Sequence, residues 1–251
     1  MQVTVIQIDN YGPWTTTLGN DREHRLQILQ ANLYSAIQRR FAERDGLVFF
    51  NRFDEMLAVT NGITKEEHES IKQSVLKDFP VTISMGIGIG DTPFEAQLEA
   101  SRLLQREGSA QSAARSGVIA CERTLDLAQS YVQVVHIDIN GTTRILTDRA
   151  SAYETSLDVM TLYAELMRRF RDHRALLFFL GGDNFMGIAN GVSGQDVEAI
   201  LQQCRVREIG LKCGIGIART GRKAAELATM NLDLLRGTDR TRSVLSTTRL
   251  N

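Results

Sequence analysis

Asp138 closes an apolar run, VQVVHID (132–138), and Asp183 follows two glycines in LLFFLGGDNFMGI (176–188). If the two runs pair as neighbouring strands, roughly 4.8 Å apart, the carboxylates converge. Two acids at that separation repel unless a cation lies between them. Mg²⁺ suits such a place, because it takes one or two carboxylates and leaves its other positions to water and phosphate. Two such ions, about 3.5–4 Å apart, can clamp the attacking and leaving oxygens of a phosphoryl transfer. Gly181 and Gly182 lack a Cβ, so backbone and phosphate can approach closely. Taken alone, GGD reads more readily as a plain hairpin turn. Its pairing with a strand-end Asp points to metal-assisted chemistry on a phosphate-bearing substrate.

The elements that must position these acids occur twice. VTVIQIDN (3–10) echoes VQVVHIDIN (132–140), LVFFNRFDEMLAVTNGI (47–63) echoes LLFFLGGDNFMGIANGV (176–192), and SMGIGIGDTPFEAQ (84–97) echoes KCGIGIARTGRKAA (212–225). Asp9 and Asp138 lie 129 residues apart, as do Asp54 and Asp183, while Gly86 and Gly214 lie 128 apart. A repeat of this length marks duplication of one unit, and it places Asp9 and Asp54 as the first half's counterparts of Asp138 and Asp183. Each half reads as βαββαβ. Leu26, Leu29, Leu33, Ile37 and Phe41 give a helical period over 21–44, which Gly46 stops. Thr64 and Glu67 form a capping box before a helix over 64–78, and Pro93 opens another over 92–107. The expected fold is α+β: two tandem ferredoxin-like domains, each a mainly antiparallel sheet with helices on one face. The domains are 1–112 and 131–251, joined by a connecting helix over 113–130.

Bulk properties exclude several classes. The 251 residues suffice for two domains. With 29 basic and 30 acidic residues the net charge is −1, which argues against general nucleic-acid binding. Three cysteines, none in a CxxC pair, argue against a disulfide framework and for a reducing cytoplasm. No apolar run approaches the roughly 20 residues that span a bilayer, so no membrane partner is expected.

LGGDNFM (180–186) with HIDIN (136–140) resembles the palm-domain signature of diguanylate cyclases, class III nucleotide cyclases and family A polymerases. VTVIQIDNYGPWT (3–15), GLVFFNRFDEMLAVTNGI (46–63), GSAQ (108–111), HIDIN, LTDRASAYET (146–155), ALLFFLGGDNFM (175–186) and GIGIARTGRKAAELA (214–228) together resemble a narrower family, the archaeal GTP cyclohydrolase III enzymes. That resemblance implies opening of GTP at guanine C8 with loss of the two outer phosphates. The product would be 2-amino-5-formylamino-6-ribosylamino-4(3H)-pyrimidinone 5′-phosphate, a precursor for flavin or deazaflavin synthesis. It implies two Mg²⁺ ions, K⁺ as a monovalent activator and a homo-oligomer. Carried over by motif, Asp138 and Asp183 are catalytic metal ligands with the Ile139 carbonyl beside them, and Asp9 and Asp54 hold the equivalent places. Asn10, Asn140, Gly181, Gly182, Asn184 and Arg219 would contact substrate. The first half departs from the pattern, with Arg52 and Phe53 where the second has two glycines. A nucleotidyl cyclase and a GTP-sensing module are the rival readings of the same residues.

Other residues admit two roles. Asn10, Tyr11 and Trp14 could cradle guanine or pack as an ordered loop behind Pro13. The two GIGI runs (86–89 and 214–217) suit a buried strand where glycine lets a helix come close. His136 shares a face with Asp138 by alternation, open to a second-shell, acid–base or structural role. Arg219 follows the last core strand and could neutralise a triphosphate or stand solvated at the start of the next helix.

Overall fold

The structure is a computed structural model that describes residues 1–140, 148–204, 210–237 and 242–250. GTTRI (141–145), the first two residues of LTDRASAYET and part of the tail from 238 lie outside the described residues. The chain divides into two compact units, one of residues 1–91 with 95–130, the other of 92–94 with 131–251.

In the first unit, strands β1 (Gln2–Ile8), β2 (Leu47–Arg52), β3 (Glu55–Val59), β4 (Ile83–Ile89) and β5 (Ile119–Cys121) form a sheet of order β2-β3-β1-β4-β5. Helices α1 (Tyr11–Thr16), α2 (Glu23–Ala42), α3 (Lys65–Asp78) and α4 (Pro93–Arg106) connect them. The second unit repeats the plan with β6 (Val132–Ile139), α5 (Ala152–Asp172), β7 (Leu176–Gly181), β8 (Asn184–Ile188), α6 (Gly194–Gln203), β9 (Leu211–Ala218), α7 (Gly221–Gly237) and β10 (Val244–Thr248), in sheet order β7-β8-β6-β9-β10. The four inner strands pair antiparallel, as the expected α+β ferredoxin-like plan requires, and β5 and β10 each add a parallel edge strand.

Alternation builds the cores. Ile6, Ile8, Met56, Ala58, Ile83 and Met85 face Leu33, Ile37 and Phe41 of α2 and Ile71 and Val75 of α3. Val135, Ile137 and Ile139 likewise face Leu162, Leu166 and Phe170 of α5 and Val197, Ile200 and Leu201 of α6. The opposite sheet face, which the sequence left open, is covered by α4 and α7. The GIGI glycines make this possible: a Cβ on Gly86 or Gly88 would run into the carbonyls of Ala100 and Ala96, and one on Gly214 or Gly216 into those of Ala228 and Ala224. The expected connecting helix over 113–130 is replaced by turns, β5 and a 3₁₀ turn at Leu127–Gln129. Gly117 in this stretch has φ 64°, and the main chain of Met85 bonds the Val118 carbonyl at 2.8 Å, drawing the segment onto the sheet edge. The stop of α2 is Asp45 at φ 57°, matched by Arg174 at φ 58° after α5.

The halves differ in one core device. Thr4 Oγ1 lies 2.8 Å from His68 Nε2, and His68 Nδ1 lies 2.7 Å from the Thr64 carbonyl. Burial holds the His68 imidazole down to about 4 from 6.5. Folding therefore prefers the neutral ring. Its contribution is whole above pH 6.5 and is lost as pH falls from 6.5 toward 4, because the unfolded chain gains the proton first. Between pH 7 and 4.5 wild type should lose about 2–3 kcal/mol more stability in urea titrations than His68→Gln. Parallel losses in both proteins would contradict this.

Candidate functional site

Asp138 is the penultimate residue of β6, and its Cα partners are Asn184 on β8 and Lys212 on β9. Residues directly opposite in antiparallel strands present Cβ atoms about 4.5–5.5 Å apart on the same face. One end of this sheet therefore gathers an acid, an amide and an ammonium. Arg236, in the last turn of α7, reaches down to them. Its Nη2 lies 2.7 Å from Asp138 Oδ1 and its Nε donates to Oδ2 at 3.1 Å. The same guanidinium bonds Asn184 Oδ1 at 3.3 Å and Asp233 Oδ1 at 3.3 Å. Lys212 Nζ donates to the Leu235 carbonyl of the same turn.

Burial pushes the Asp138 carboxyl up from its ordinary value, the Arg236 fork pulls it back, and the like charge of Asp183 adds to the rise. That repulsion places Asp183 in the electrostatic field of Asp138. Asp183 sits in the two-residue turn between β7 and β8, where Asn184 Nδ2 donates to its Oδ1 at 2.8 Å. Gly181 has φ 112° and Gly182 φ 61°, and a Cβ on either would meet nothing within 4 Å. Backbone conformation, not crowding, demands the glycines here, and space is left open above the turn. His136 does share the Asp138 face. Its Nδ1 pairs with Thr229 Oγ1 at 3.0 Å, and burial, seconded by Arg236, holds its imidazole below the ordinary value. A neutral histidine tied to α7 supports that helix. The Ile139 side chain is buried in the core, and the Asn140 main chain bonds the Gly210 carbonyl at 3.0 Å.

The first unit does not repeat this arrangement, and the reason is a register slip. Val3 pairs with Val59 and Gly88, whereas Val134 pairs with Ile188 and Gly216. β3 and β4 keep the 129- and 128-residue offsets, so β1 matches β6 at 131. The hydrogen bonds agree: the main-chain N–H of Gln2 donates to Asn61 Oδ1 at 2.9 Å, and that of Gln133 to Asn190 Oδ1 at 3.0 Å. The structural counterpart of Asp138 is thus Gln7, and Asp9 matches Asn140. Acid and amide have exchanged strands, for Gln7 Nε2 donates to Glu55 Oε2 at 2.7 Å where Asp138 faces Asn184.

Asp9 and Asp54 lie at one end of the first sheet, where the Ile8 main chain bonds the Asp54 carbonyl at 3.1 Å, but the Asp9 carboxylate is engaged by other groups. Asp9 accepts from Thr82 Oγ1 at 2.9 Å, Ser84 Oγ at 2.6 Å, the Gly117 main chain at 2.8 Å and Arg115 Nη2 at 3.4 Å. Those donors occupy a carboxylate's acceptor sites, and through them Asp9 fastens the 108–118 loop to the start of β4. Asp54 is partly exposed in its turn beside Arg52, at 3.6 Å. Arg219 is also misplaced for phosphate. It follows Ala218, which pairs with Val132 at the opposite end of β6. That is about 20 Å from Asp138 by strand rise. Its Nε bonds the Leu250 carbonyl at 3.1 Å. Asn10, at φ 50°, turns the chain into α1, and Tyr11 and Trp14 pack against the core.

Lys212 and Arg236 are the site residues that sequence reasoning missed. Lys212 is marked only by its place two residues before the GIGI run. Arg236, in sequence, is one more basic residue in a helix's last turn. Among the described residues no group of three or more His, Cys, Asp or Glu is gathered to hold a metal ion. Mg²⁺ needs fewer protein ligands when a phosphate supplies the rest. Asp138 and Asp183 are the residues that would meet that requirement, and Asp138 already carries one cation, the Arg236 guanidinium.

A family model described as GTP cyclohydrolase III matches residues 1–249. The chain is 49% identical to the GTP cyclohydrolase III of Methanothermobacter thermautotrophicus over 94% of this chain and 95% of that one. It is 47% identical to that of Methanobrevibacter smithii over 95% of each chain, and 46% to that of Methanocaldococcus jannaschii over 94% of this chain and 88% of the other. Among solved structures it is similar to the GGEEF domain of a diguanylate cyclase from Vibrio cholerae, at 16% identity and TM-score 0.36 over 49% of this chain and 86% of that chain.

The loop-fastening role of Asp9 has a direct check. Asp9→Ala leaves the buried Arg115 without its carboxylate and should cost about 3–5 kcal/mol in urea unfolding. A loss below about 1 kcal/mol would return Asp9 to the candidate ligands.

Proposed function

The chain belongs to the GTP cyclohydrolase III family, and from that premise we propose that it opens GTP at guanine C8 and removes its two outer phosphates. The product would be 2-amino-5-formylamino-6-ribosylamino-4(3H)-pyrimidinone 5′-phosphate. One water adds across C8 to leave the formylamino group, and two more cleave the anhydrides. The observation that carries the reading is local: Asp138 stands across the sheet from Asn184, the residue after Asp183, and from Lys212, with Arg236 reaching it from the last turn of α7.

Asp138 and Asp183 would hold Mg²⁺. Bound there, the ion supplies Lewis acidity toward a phosphoryl oxygen. The chain's own groups do the rest. The open Gly181–Gly182 turn admits the phosphates without side-chain obstruction. Lys212 and Arg236 offset their charge, Arg with the geometry of a fork. Asn184 holds both Asp183 and Arg236 through its amide, which orients acid and base together. The first unit has Gln7 at the place of Asp138, so it lacks the strand-end acid of this pair and is assigned no second copy of the metal site. Potassium, as monovalent activator, is carried from the family resemblance, as is the homo-oligomer.

Incubation of the protein with GTP, Mg²⁺ and K⁺ should release formylaminopyrimidine and inorganic phosphate, followed by ultraviolet absorbance and a phosphate assay. Asp138→Asn and Asp183→Asn should keep the fold and lose most turnover. Full activity in either variant, or a cyclic nucleotide as product, would overturn the assignment.

A further inference from the structure

Asp138 at the end of β6 and Asp9 just beyond β1 each carry an arginine, but the two pairs are built differently. Asp9 and Arg115 are each only 2% exposed, so neither can leave. Asp138 is 10% exposed while Arg236 is 41% exposed. The acid is fixed in the sheet, and the base lies over it from the helix end, half in water. The guanidinium takes both carboxylate oxygens, leaving Asp138 little room to bind anything else. Arg236 also has a second resting place, because Asp233 lies one helical turn back and already bonds its Nη1.

We propose that Arg236 is a latch on Asp138: it fills the cation place in the empty enzyme and moves onto the phosphates of an incoming nucleotide, freeing Asp138 for a divalent ion. This rests on the assignment of Asp138 as a metal ligand. The physical ground is exclusion. A guanidinium and a divalent cation cannot share the same two oxygens, since like charges repel and the lone pairs are used once. A triphosphate offers the guanidinium a stronger, bidentate partner. The lengthy stem swings with the Asp233 carboxylate still beside it, so the positive charge is never left alone. By linkage, whatever the nucleotide does for the ion, the ion does equally for the nucleotide. The enzyme then avoids holding a metal at a buried acid when no phosphate is present to complete its coordination.

The test uses the full-length protein with Mn²⁺ as the probe, read by the electron paramagnetic resonance signal of the free ion. Titrations are run with and without a β,γ-imido GTP analogue. Wild type should bind Mn²⁺ weakly alone and far more tightly with the analogue. Arg236→Gln should bind Mn²⁺ alone at least about tenfold more tightly than wild type, the low end for losing the two charge-assisted bonds to Asp138, and should gain less from the analogue. Arg236→Lys keeps the charge without the fork and should change in the same direction by less; it carries the test if the glutamine variant fails to fold. Equal or weaker Mn²⁺ binding in the folded variants would overturn the latch. So would an analogue effect as large as in wild type, the outcome expected of an arginine with a merely structural role. Asp138→Asn separates the two proposals. If Asp138→Asn combined with Arg236→Gln binds Mn²⁺ as well as Arg236→Gln alone, the ion is not at Asp138 and the site assignment falls with the latch. If binding is lost there while Arg236→Gln alone matches wild type, only the latch falls.

Discussion

A carboxylate removed from water at the end of a strand must be given a cation or a full set of donors. Otherwise the desolvation of its charge works against folding. This chain meets the requirement at two sheet ends in two ways. At Asp9 the donors are fixed: two hydroxyls, a main-chain N–H and a buried guanidinium close every approach. At Asp138 a guanidinium takes both carboxylate oxygens from a helix end that faces solvent. One solution makes a structural tie. The other pairs the carboxylate with a guanidinium that lies half in water.

The difference descends from a two-residue slip between the repeats. A slip of two keeps every side chain on its original face, so both cores form from the same alternation of apolar residues. Only the polar ends change. Gln7 moves into the place of Asp138, and Asp9 is carried beyond the strand to the loop. The acid of the cross-strand pair then appears as Glu55 on the neighbouring strand. Such a slip lets the polar strand ends of the two halves differ while their cores keep the same packing.

Much of the fold was legible because it rests on local periodicity. The helical spacing of Leu26, Leu33, Ile37 and Phe41, the Thr64–Glu67 box and Pro93 each act within a few residues, and each stands where its pattern placed it. The GIGI runs announced close packing correctly, yet not that a helix would cover the second sheet face. The segment over 113–130 misled because its order comes from the sheet edge it joins and not from its own sequence. In the site, Asp138 and Asp183 could be read from motif and repeat. The offset of 129 that paired Asp9 with Asp138 was wrong by the slip, since apolar strand residues align nearly as well two positions along. Lys212 and Arg236 were hidden because cross-strand register and helix reach brought them in, and neither is written in a local pattern.

The reach of Arg236 has its own cause, and it joins the bland residues to the chemical ones. A helix normally stands about 10 Å from a sheet because side chains lie between them. Gly214 and Gly216 remove those side chains, and the backbone of α7 at Ala224 and Ala228 settles onto β9. Asn231 fastens it by donating to the Ile215 carbonyl at 2.7 Å, and Thr229 by its contact with His136. Only from that depth does the helix's last turn bring a guanidinium to within 2.7 Å of Asp138 and the Leu235 carbonyl within reach of Lys212. A larger residue at either glycine would lift the helix, and it would separate the cations from the acids before it exposed much of the core. The glycines that look purely structural in the sequence therefore set the spacing on which the charge arrangement depends.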